Sequence, residues 1–371
     1  MVKKVVILQE HIPHYRMRFY ECLREILAAR GFALQLIYSP KSSLAAVPGK
    51  VSWAKETISR RYGKMVWQPV WREFKDADLI VVQQETKYLI NYLLILKAKL
   101  GKVKLAYWGH GRNFQSRNPN SFSERVKRYF SRRADWWFAY NDLSKRVVED
   151  LGFPSERITS VRNSIDMRLL FRVKEEMTED QLQSVRNELG IESENVAVYT
   201  GRFFELKRIR FLMEACHEIR RSVPDFHMIW IGNGPLEDFV KEQSKMHSWI
   251  HFVGVKDDKE KVPYWCLSKL LLMPGAVGLV VLDAFALGAP MVTTDIPNHG
   301  PEIDYLVDGE NGVVVRPSDC VKTYAAAVVD LLIDRARYAE MKTAALAECE
   351  HYSAEKMAEN FADGIIQALS N

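Results

Sequence analysis

Cysteine is scarce in this sequence, and no two cysteines stand close together. The five residues are Cys22, Cys216, Cys266, Cys320 and Cys349. An odd number without short spacing argues against a disulfide framework and against a zinc site, and it is typical of a reducing compartment. We therefore expect a cytoplasmic protein.

Long apolar runs are also missing. Residues 88–96 are almost uninterrupted apolar sequence, but Lys87 and Lys97 bound them, and a bilayer span takes about 20 residues. The opening residues, MVKKVVILQEHIP, lack the pattern of a signal peptide and predict a strand that ends at Pro13. The expected protein is soluble, or peripheral on the cytoplasmic side of a membrane.

Several catalytic signatures are absent as well. The chain has no convincing pair of carboxylates, no Gly-x-Ser-x-Gly elbow and no cysteine with an obvious base. His11 and His14 flank a proline instead of sharing a helix face, and Asp76 and Asp78 precede a predicted strand, where a strand-entry cap is expected. We predict no catalytic metal and no cofactor.

The small net charge of +5 hides a strong division of charge along the chain. Residues 1–170 hold 31 Lys plus Arg against 15 Asp plus Glu, or +16, and the remainder holds 21 against 32, or −11. A basic front half suggests an anionic partner: nucleic acid, anionic lipid or a phosphorylated acceptor. No groove-reading module is recognisable, so nucleic acid is not predicted.

Basic and aromatic residues interleave at residues 123–133, SERVKRYFSRR. A helix here would carry Val126, Tyr129 and Phe130 on one face. The surrounding cations, which we predict to face a membrane, are Arg125, Lys127, Arg128, Arg132 and Arg133. An ordinary amphipathic helix packed on a sheet fits the pattern nearly as well.

Strand and helix patterns alternate along the chain, which is typical of a parallel α/β protein, and 371 residues suit two domains. Helices are predicted at 16–29, 178–189, 279–287 and 354–369. Predicted strands lie at 5–9, 33–38, 79–82, 103–107, 136–139, 158–161, 196–200, 226–232, 270–273 and 291–294.

The most informative stretch is residues 273–295, MPGAVGLVVLDAFALGAPMVTTD. A turn with Gly275 and Gly278 joins a buried strand to a helix N-terminus, whose unsatisfied amides point at whatever lies above it. Asp283 stands on an otherwise apolar helix and needs a partner. That partner is either a ligand or a group within the core.

Two further strand-to-helix turns are predicted at the same edge of the sheet. After residues 196–200, Gly201 opens a loop with Arg202 and Lys207, a cation pair that suits a diphosphate, although solvated surface charges are the alternative. The next strand runs into Gly-Asn-Gly-Pro, which contains Gly232 and Gly234. Nucleotides bind at this edge of open parallel sheets.

The order of these motifs is GR, four residues and K, then IGNGP, FVG, PGAVGLVVLDAFALGAPMV, PE and DGENG. This order resembles the retaining glycosyltransferases of family 4. The resemblance is dense over residues 196–315 and thinner in the N-terminal half, where AYWGHG (106–111) and SVRNSID (160–166) are similar.

The resemblance implies an α/β protein of the GT-B fold, with two Rossmann-like domains facing a central cleft. Residues 1–170 would form the acceptor-binding domain, 171–191 the crossover, and 192–352 the nucleotide-sugar-binding domain. Residues 353–371 would form a helix that packs back on the first domain.

The resemblance also implies roles for single residues. Arg202 and Lys207 would offset charge on the leaving nucleotide, with His110 as a third catalytic residue; a turn histidine beside Trp108 is the alternative for His110. Donor-binding residues would be Gly201, Arg202, Lys207, Gly232, Gly234, Val255, Gly275, Ala276, Val277, Gly278, Leu279 and Asp283. Acceptor-side residues would be His14, Tyr15, Arg16, His110 and Arg112.

One departure from the family pattern concerns the donor sugar. The family usually has two Glu residues with seven between them, whereas this chain has Gly275 and Asp283 at those places. The amides of residues 276–279 are then expected to hold the sugar hydroxyls. Neither the sugar nor the choice between UDP and GDP follows from the resemblance.

The implied reaction is metal-independent glycosyl transfer with retention of configuration, in surface polysaccharide assembly. The leaving diphosphate would help to deprotonate the acceptor, so no side-chain nucleophile is required. A non-catalytic nucleotide-sugar-binding subunit and a GT-B-like sugar-nucleotide epimerase remain alternatives, and the oligomeric state is open.

Overall fold

The computed structural model describes residues 2–39, 51–112, 114 and 122–370. The chain forms two compact units. The first comprises Met1–Asp166 with Tyr352–Asn371, and the second comprises Met167–His351. Each unit is built on its own parallel sheet.

The first unit contains a parallel sheet with the strand order β3-β2-β1-β6-β7-β8-β9, and a separate antiparallel hairpin, β4-β5. Its strands are β1 (Lys3–Leu8), β2 (Phe32–Tyr38), β3 (Lys55–Glu56), β4 (Arg60–Tyr62), β5 (Met65–Trp67), β6 (Leu79–Gln83), β7 (Lys104–Gly109), β8 (Trp136–Ala139) and β9 (Ile158–Ser160). Its first helices are α1 (Met17–Ala29), α2 (Leu89–Lys99), α3 (Phe122–Ser131) and α4 (Asp142–Asp150).

The sheet of the first unit is buried on both faces. Along β1, Val5 and Ile7 belong to one core cluster, and Val6 belongs to the other. Helices on both faces explain why parallel strands are almost continuously apolar.

The second unit has a six-stranded parallel sheet with the order β12-β11-β10-β13-β14-β15. Its strands are β10 (Val196–Thr200), β11 (His227–Ile231), β12 (Ile250–Gly254), β13 (Leu270–Leu272), β14 (Met291–Thr294) and β15 (Gly312–Val315). Its helices are α5 (Met167–Glu176), α6 (Glu179–Leu189), α7 (Ile209–Ser222), α8 (Glu237–Met246), α9 (Val262–Cys266), α10 (Val280–Leu287), α11 (Val321–Ile333) and α12 (Arg335–Ala347).

The last helix, α13 (Ala354–Ser370), packs against α1 in the core of the first unit. The ring of Phe361 stacks on that of Phe138, with centroids 4.0 Å apart. Gly364 allows this approach, because a Cβ atom there would lie 2.4 Å from Thr159 Oγ1. The C-terminus of the chain therefore completes the first unit.

The segment predicted as a crossover, residues 171–191, is helical and is counted with the second unit. Helix α5 begins at Met167 and packs against α10, so the first division of the chain lies at 166/167 instead of 170/171. Helix α6 begins with a capping box between Thr178 and Gln181 and ends at Gly190 in the left-handed conformation.

The prediction of a parallel α/β fold is confirmed, and every predicted strand is present within two residues of its predicted ends. The apolar residues 88–96 lie mostly in α2, with Ile90 and Leu94 buried. Asp78 does cap a strand entry, since its carboxylate accepts the Lys4 N–H at 2.6 Å. Within the described ranges, no helix is long and apolar enough to cross a membrane.

Candidate functional site

Three loops of the second unit meet because β11, β10 and β13 are neighbours in a parallel sheet. Parallel strands end at the same edge, so the loops that follow them lie side by side. These are the glycine-bearing loops that the sequence singled out, at residues 201–208, 232–236 and 273–279.

The first two loops are packed backbone to backbone. The Gly201 N–H donates to the Ile231 carbonyl at 2.9 Å, and the Phe203 N–H donates to the Asn233 carbonyl at 2.7 Å. A Cβ atom on Gly232 would lie 1.9 Å from the Gly201 oxygen. The glycine therefore allows two loops to touch. This contact fixes the course of residues 201–208, which we call the cation loop.

Gly234 has the same function one step further along. A Cβ atom there would lie 2.5 Å from the Phe203 oxygen, and the Leu236 N–H donates to that oxygen at 3.1 Å. The Gly-x-Gly pattern thus holds the neighbouring loop in place.

Gly275 is equally enclosed. A Cβ atom at this position would lie 2.3 Å from the Lys207 carbonyl carbon and 2.4 Å from the Leu206 oxygen. The neighbouring Ala276 N–H donates to the same Leu206 oxygen at 2.8 Å. The backbone of Leu206 and Lys207 therefore leaves no room for a side chain at this position.

The amides of residues 276–279 divide into two pairs. Ala276 uses its N–H within the protein, and Val277 donates to His299 Nδ1 at 3.1 Å. The N–H groups of Gly278 and Leu279 make no hydrogen bond within the described part of the chain. The expectation that four amides face a sugar is reduced to these two.

His299, which the sequence analysis missed, fixes this loop. It is buried, and its Nε2 donates to the Thr294 carbonyl at 2.7 Å while Nδ1 accepts from Val277. Burial lowers the pKa of His299. A neutral ring is what an accepting Nδ1 requires.

The two predicted cations differ in their surroundings. Arg202 is exposed, whereas Lys207 is partly buried and donates from Nζ to the Ala276 carbonyl. Burial lowers the pKa of Lys207 to about 8, although the carboxylate of Glu302 raises it in part. Glu302 is itself buried, and the sequence analysis did not select it.

The cation loop ends in a strained residue. Arg208 has a φ of 55°, a left-handed conformation that is costly for a side chain other than glycine. Its guanidinium donates to Thr294 Oγ1 at 3.2 Å and to the Ser318 carbonyl at 2.5 Å. These contacts hold the turn that places Lys207 before α7.

Asp283 forms an ion pair within the protein. Its side chain is buried, and Oδ1 accepts from Lys261 Nζ at 2.9 Å; Lys261 also donates to Asp258 at 2.8 Å. Burial alone would lower the pKa of Lys261, but the two carboxylates raise it above its ordinary value. The other oxygen, Oδ2, accepts no hydrogen bond from any described residue.

The core interpretation of Asp283 therefore holds for Oδ1, and the ligand interpretation stays a prediction for Oδ2. Lys261 was not predicted as the partner because it lies on a different segment, directly before α9. Val255 follows β12 and is 56% exposed.

The acceptor-side residues of the first unit lie around the ends of β1 and β7. His14 is exposed, Tyr15 is half-buried, and Arg16 is buried. The rings of His110 and Tyr140 lie 3.9 Å apart, and Tyr140 also accepts from Arg16 at 3.3 Å. The fold thus brings Arg16 and His110 together around one tyrosine.

Arg112 is exposed, and its guanidinium lies 4.5 Å from the centroid of the Phe114 ring, which is itself 6.2 Å from the ring of His110. The edge also carries a buried carboxylate that the sequence analysis did not assign. Glu10 accepts from Arg61 at 2.5 Å and from Tyr88 at 2.8 Å, and it pairs with Lys87 at 3.0 Å. Burial would raise the pKa of Glu10, but these partners lower it to about 2.

The predicted basic helix is α3, and its Phe130 ring packs edge-on to Tyr92 of α2 at 4.8 Å. Tyr129 is 56% exposed, with Arg133 over its ring. The residues that line one open surface here, which we call the arginine surface, are Arg125, Arg128, Tyr129, Arg132 and Arg133. The side chain of Lys127 lies outside the described residues.

One family model matches the second unit of the chain. Residues 194–334 match the model of the family described as "Glycosyl transferases group 1". This range contains all three loops and the Lys261–Asp283 pair.

Two curated relatives and one solved structure illustrate the similarity. The chain is 24% identical to spore coat protein SA of Bacillus subtilis, over 56% of this chain and 59% of the relative. It is 24% identical to N-acetyl-alpha-D-glucosaminyl L-malate synthase of Bacillus anthracis, over 77% and 74%. The chain spans about half the length of most of the curated relatives it matches.

The crystal structure of HepE from Anabaena, solved in complex with UDP, superposes with a TM-score of 0.72. It is 17% identical, and the match covers 98% of this chain and 99% of HepE. Together with the two Rossmann-like units, this similarity confirms the predicted GT-B fold class.

Proposed function

We propose that this protein is a retaining glycosyltransferase that moves a sugar from a UDP- or GDP-linked donor to a glycan or lipid-linked glycan. One observation carries the proposal. At a single sheet edge of the second unit lie two cations, two amides without partners in the described chain, and one carboxylate oxygen left over from an ion pair. These groups suit the phosphates, the sugar and the ribose of a nucleotide sugar.

Each group has a distinct part in donor binding. Arg202 and Lys207 face the diphosphate, whose charge would stabilise the protonated form of Lys207. The N–H groups of Gly278 and Leu279, at the start of α10, hold sugar hydroxyls. Asp283 Oδ2 accepts from the ribose, while Lys261 holds the other oxygen of the same carboxylate.

The reaction follows from where charge develops. The bond between the sugar C1 and the diphosphate oxygen breaks, and Arg202 and Lys207 stabilise the negative charge that collects on the leaving group. The acceptor oxygen bonds to C1 on the same face, and its proton passes to a diphosphate oxygen. Retention then needs no nucleophile from the chain and no metal ion, and His110 contacts the sugar or the acceptor.

The proposal of a membrane-associated acceptor rests on the basic first half of the chain. The arginine surface, at α3 and just after it, and the exposed Leu93, Leu96 and Leu100 at α2 suit an anionic membrane surface. Cations are attracted to its anionic lipids, and apolar side chains enter the boundary with the acyl chains. This placement favours a peripheral protein on the cytoplasmic face of a membrane, acting in surface polysaccharide assembly.

A non-catalytic nucleotide-sugar-binding subunit is the second candidate. It is favoured by Gly275, where the backbone leaves no room for the glutamate that the family usually carries. Such a protein would bind the donor without transferring its sugar.

The first experiment is a thermal-shift panel of UDP, GDP, ADP and their sugar conjugates, with and without EDTA. A selective shift by one nucleotide supports the donor site. Arg202→Ala should weaken that shift, whereas Arg210→Ala, an exposed cation on α7, should leave it unchanged. Equal shifts in both variants would refute the site assignment.

A second measurement separates the two candidates. The selected sugar nucleotide is incubated with carrier-linked glycans, and released nucleotide and anomeric configuration are followed by NMR. Transfer with retention supports the enzyme. Tight donor binding without transfer to any acceptor supports the binding subunit.

A further inference from the structure

Arg16 is a buried cation at the ligand-binding edge of the first unit. It lies in the turn between β1 and α1 and is only 5% exposed. Its Nη2 donates to Asn163 Oδ1 at 3.0 Å and to the Tyr140 hydroxyl at 3.3 Å. Both partners are neutral acceptors.

Aromatic rings surround the guanidinium. Its central carbon lies 4.7 Å from the Trp108 ring centroid, 5.3 Å from that of Tyr140 and 5.8 Å from that of Tyr15. Cation–π contacts offset part of the lost hydration, but they supply no counter-charge.

No carboxylate of the described chain forms an ion pair with Arg16. The buried carboxylate at the same strand end, Glu10, is held by Arg61, Lys87 and Tyr88. Arg16 Nε is enclosed without a hydrogen-bond acceptor, and Nη1 makes no hydrogen bond to any described residue but is not enclosed. An arginine stays charged when buried, and an uncompensated buried charge is costly.

The position of Arg16 indicates which kind of group compensates its buried charge. Arg16 follows β1, Tyr140 follows β8 and Asn163 follows β9, so all three stand at the carboxyl edge of one parallel sheet. Ligands of open α/β sheets bind at that edge. The buried charge, the Nη1 donor and the location at the carboxyl edge of the sheet all indicate that an anionic group of a ligand binds here.

We propose that Arg16 binds a phosphate group of the acceptor, so that the acceptor of this protein is a phosphorylated molecule. The word acceptor rests on the proposed glycosyl transfer, whereas the anion site itself does not. Guanidinium groups form strong charge-assisted hydrogen bonds to phosphate oxygens. Nη1 supplies the donors, while Tyr140 and Asn163 hold the guanidinium in place.

The test uses the full-length protein with the second-unit site saturated by the nucleotide that the panel selects. Inorganic phosphate is then titrated at constant ionic strength, and its affinity is measured by calorimetry and by thermal shift. We expect phosphate to bind the native protein. In Arg16→Gln the affinity should fall at least ten-fold, or about 1.4 kcal/mol.

Two further variants control for folding and for loss of charge. Asn163→Asp places a carboxylate of nearly the same shape beside Nη2 and should weaken phosphate binding at least ten-fold. Arg18→Gln removes a cation two residues away that pairs with Glu355 at 2.9 Å, and its phosphate affinity should remain native.

Unchanged phosphate affinity in both Arg16→Gln and Asn163→Asp would overturn the proposal. Loss of all phosphate binding once nucleotide is saturating would also overturn it, because the anion would then be the donor's own phosphate. The double variant Arg202→Ala/Lys207→Ala separates this result from the proposed function. Retained nucleotide binding there would refute the donor site while leaving the result at Arg16 intact.

Discussion

The two units carry parallel sheets of similar design, yet the carboxyl edges of these sheets are built differently. In the second unit, glycine loops touch backbone to backbone, and a Cβ atom at Gly232 or Gly275 would lie within 2.5 Å of a neighbouring loop. In the first unit, side chains such as Arg16, Glu10 and Tyr140 fill the edge. One edge is shaped by backbone and the other by side chains.

This difference decides how well each edge can be predicted from the sequence. A backbone-shaped edge needs glycine at fixed places, and such a pattern is visible in the sequence. A side-chain edge joins residues that are far apart, since the Arg16–Asn163 hydrogen bond spans 147 positions.

The largest effect should come from Lys261→Met in the second unit. It leaves the buried Asp283 without its ammonium partner, and breaking a buried ion pair from one side costs about 3–5 kcal/mol. Urea unfolding should show this loss of stability.

The double variant Lys261→Met/Asp283→Leu is the control, since it removes both charges and should recover much of that stability. Nucleotide binding should nevertheless be weak in the double variant, because it lacks the Asp283 carboxylate. A Lys261→Met protein as stable as the native one would contradict the pairing.

Glu10 should control the acid stability of the first unit. Its folded-state pKa of about 2 lies below the ordinary 4.5. Its contribution is therefore complete above pH 4.5 and is lost as the pH falls through 2. The shift corresponds to about 3 kcal/mol in the free energy of unfolding. Urea unfolding of Glu10→Gln, measured at pH 3 to 7, should show this loss of stability at neutral pH.

The matched control is Glu85→Gln, which removes an exposed partner of Lys87. An exposed ion pair contributes about 0–1 kcal/mol, so its stability should stay close to native. Equal losses in the two variants would mean that burial at this edge does not distinguish Glu10.

Gly275→Ala should cost more than Gly278→Ala. The first Cβ would collide with the backbone of Leu206 and Lys207, whereas nothing lies within 4 Å of the second. Overpacking costs about 1–3 kcal/mol, and calorimetry should show a lower Tm for Gly275→Ala only. A stable Gly275→Glu variant with improved sugar binding would disprove the account of the missing glutamate.

Nucleotide binding should weaken as the pH rises through about 8, the pKa to which burial lowers Lys207. Below that pH the ammonium is present and affinity is constant, and above it affinity falls by up to about ten-fold per pH unit. Lys207→Arg keeps its charge and should show a flat profile. Parallel profiles would show that Lys207 does not face the phosphates.

The smallest effect is expected for membrane binding. Arg132→Gln removes one cation of the arginine surface, and each such charge contributes about 1 kcal/mol near an anionic membrane. Sedimentation with phosphatidylserine vesicles should weaken about five-fold. Arg337→Gln, an exposed arginine of the second unit, should bind as the native protein does, and equal binding by both variants would remove the membrane assignment.

Much of the fold was predictable because its determinants are local. Strand β10 and strand β14 have the predicted ends, since short apolar runs are bounded by glycine, proline or charge. Helix α5 was missed because Met167 and Leu170 are buried against α10. The burial of these residues therefore has more influence on helix formation than the charged local sequence has.

The sequence by itself determined the order of the three loops, the glycines they need and the charge division of the chain, because backbone conformation and composition are local properties. Only the tertiary structure decided that Asp283 pairs with Lys261, that His299 takes the Val277 amide and that Arg16 has no counter-charge among the described residues. These facts depend on distances between residues 22 or more positions apart. Chain folding alone sets such distances.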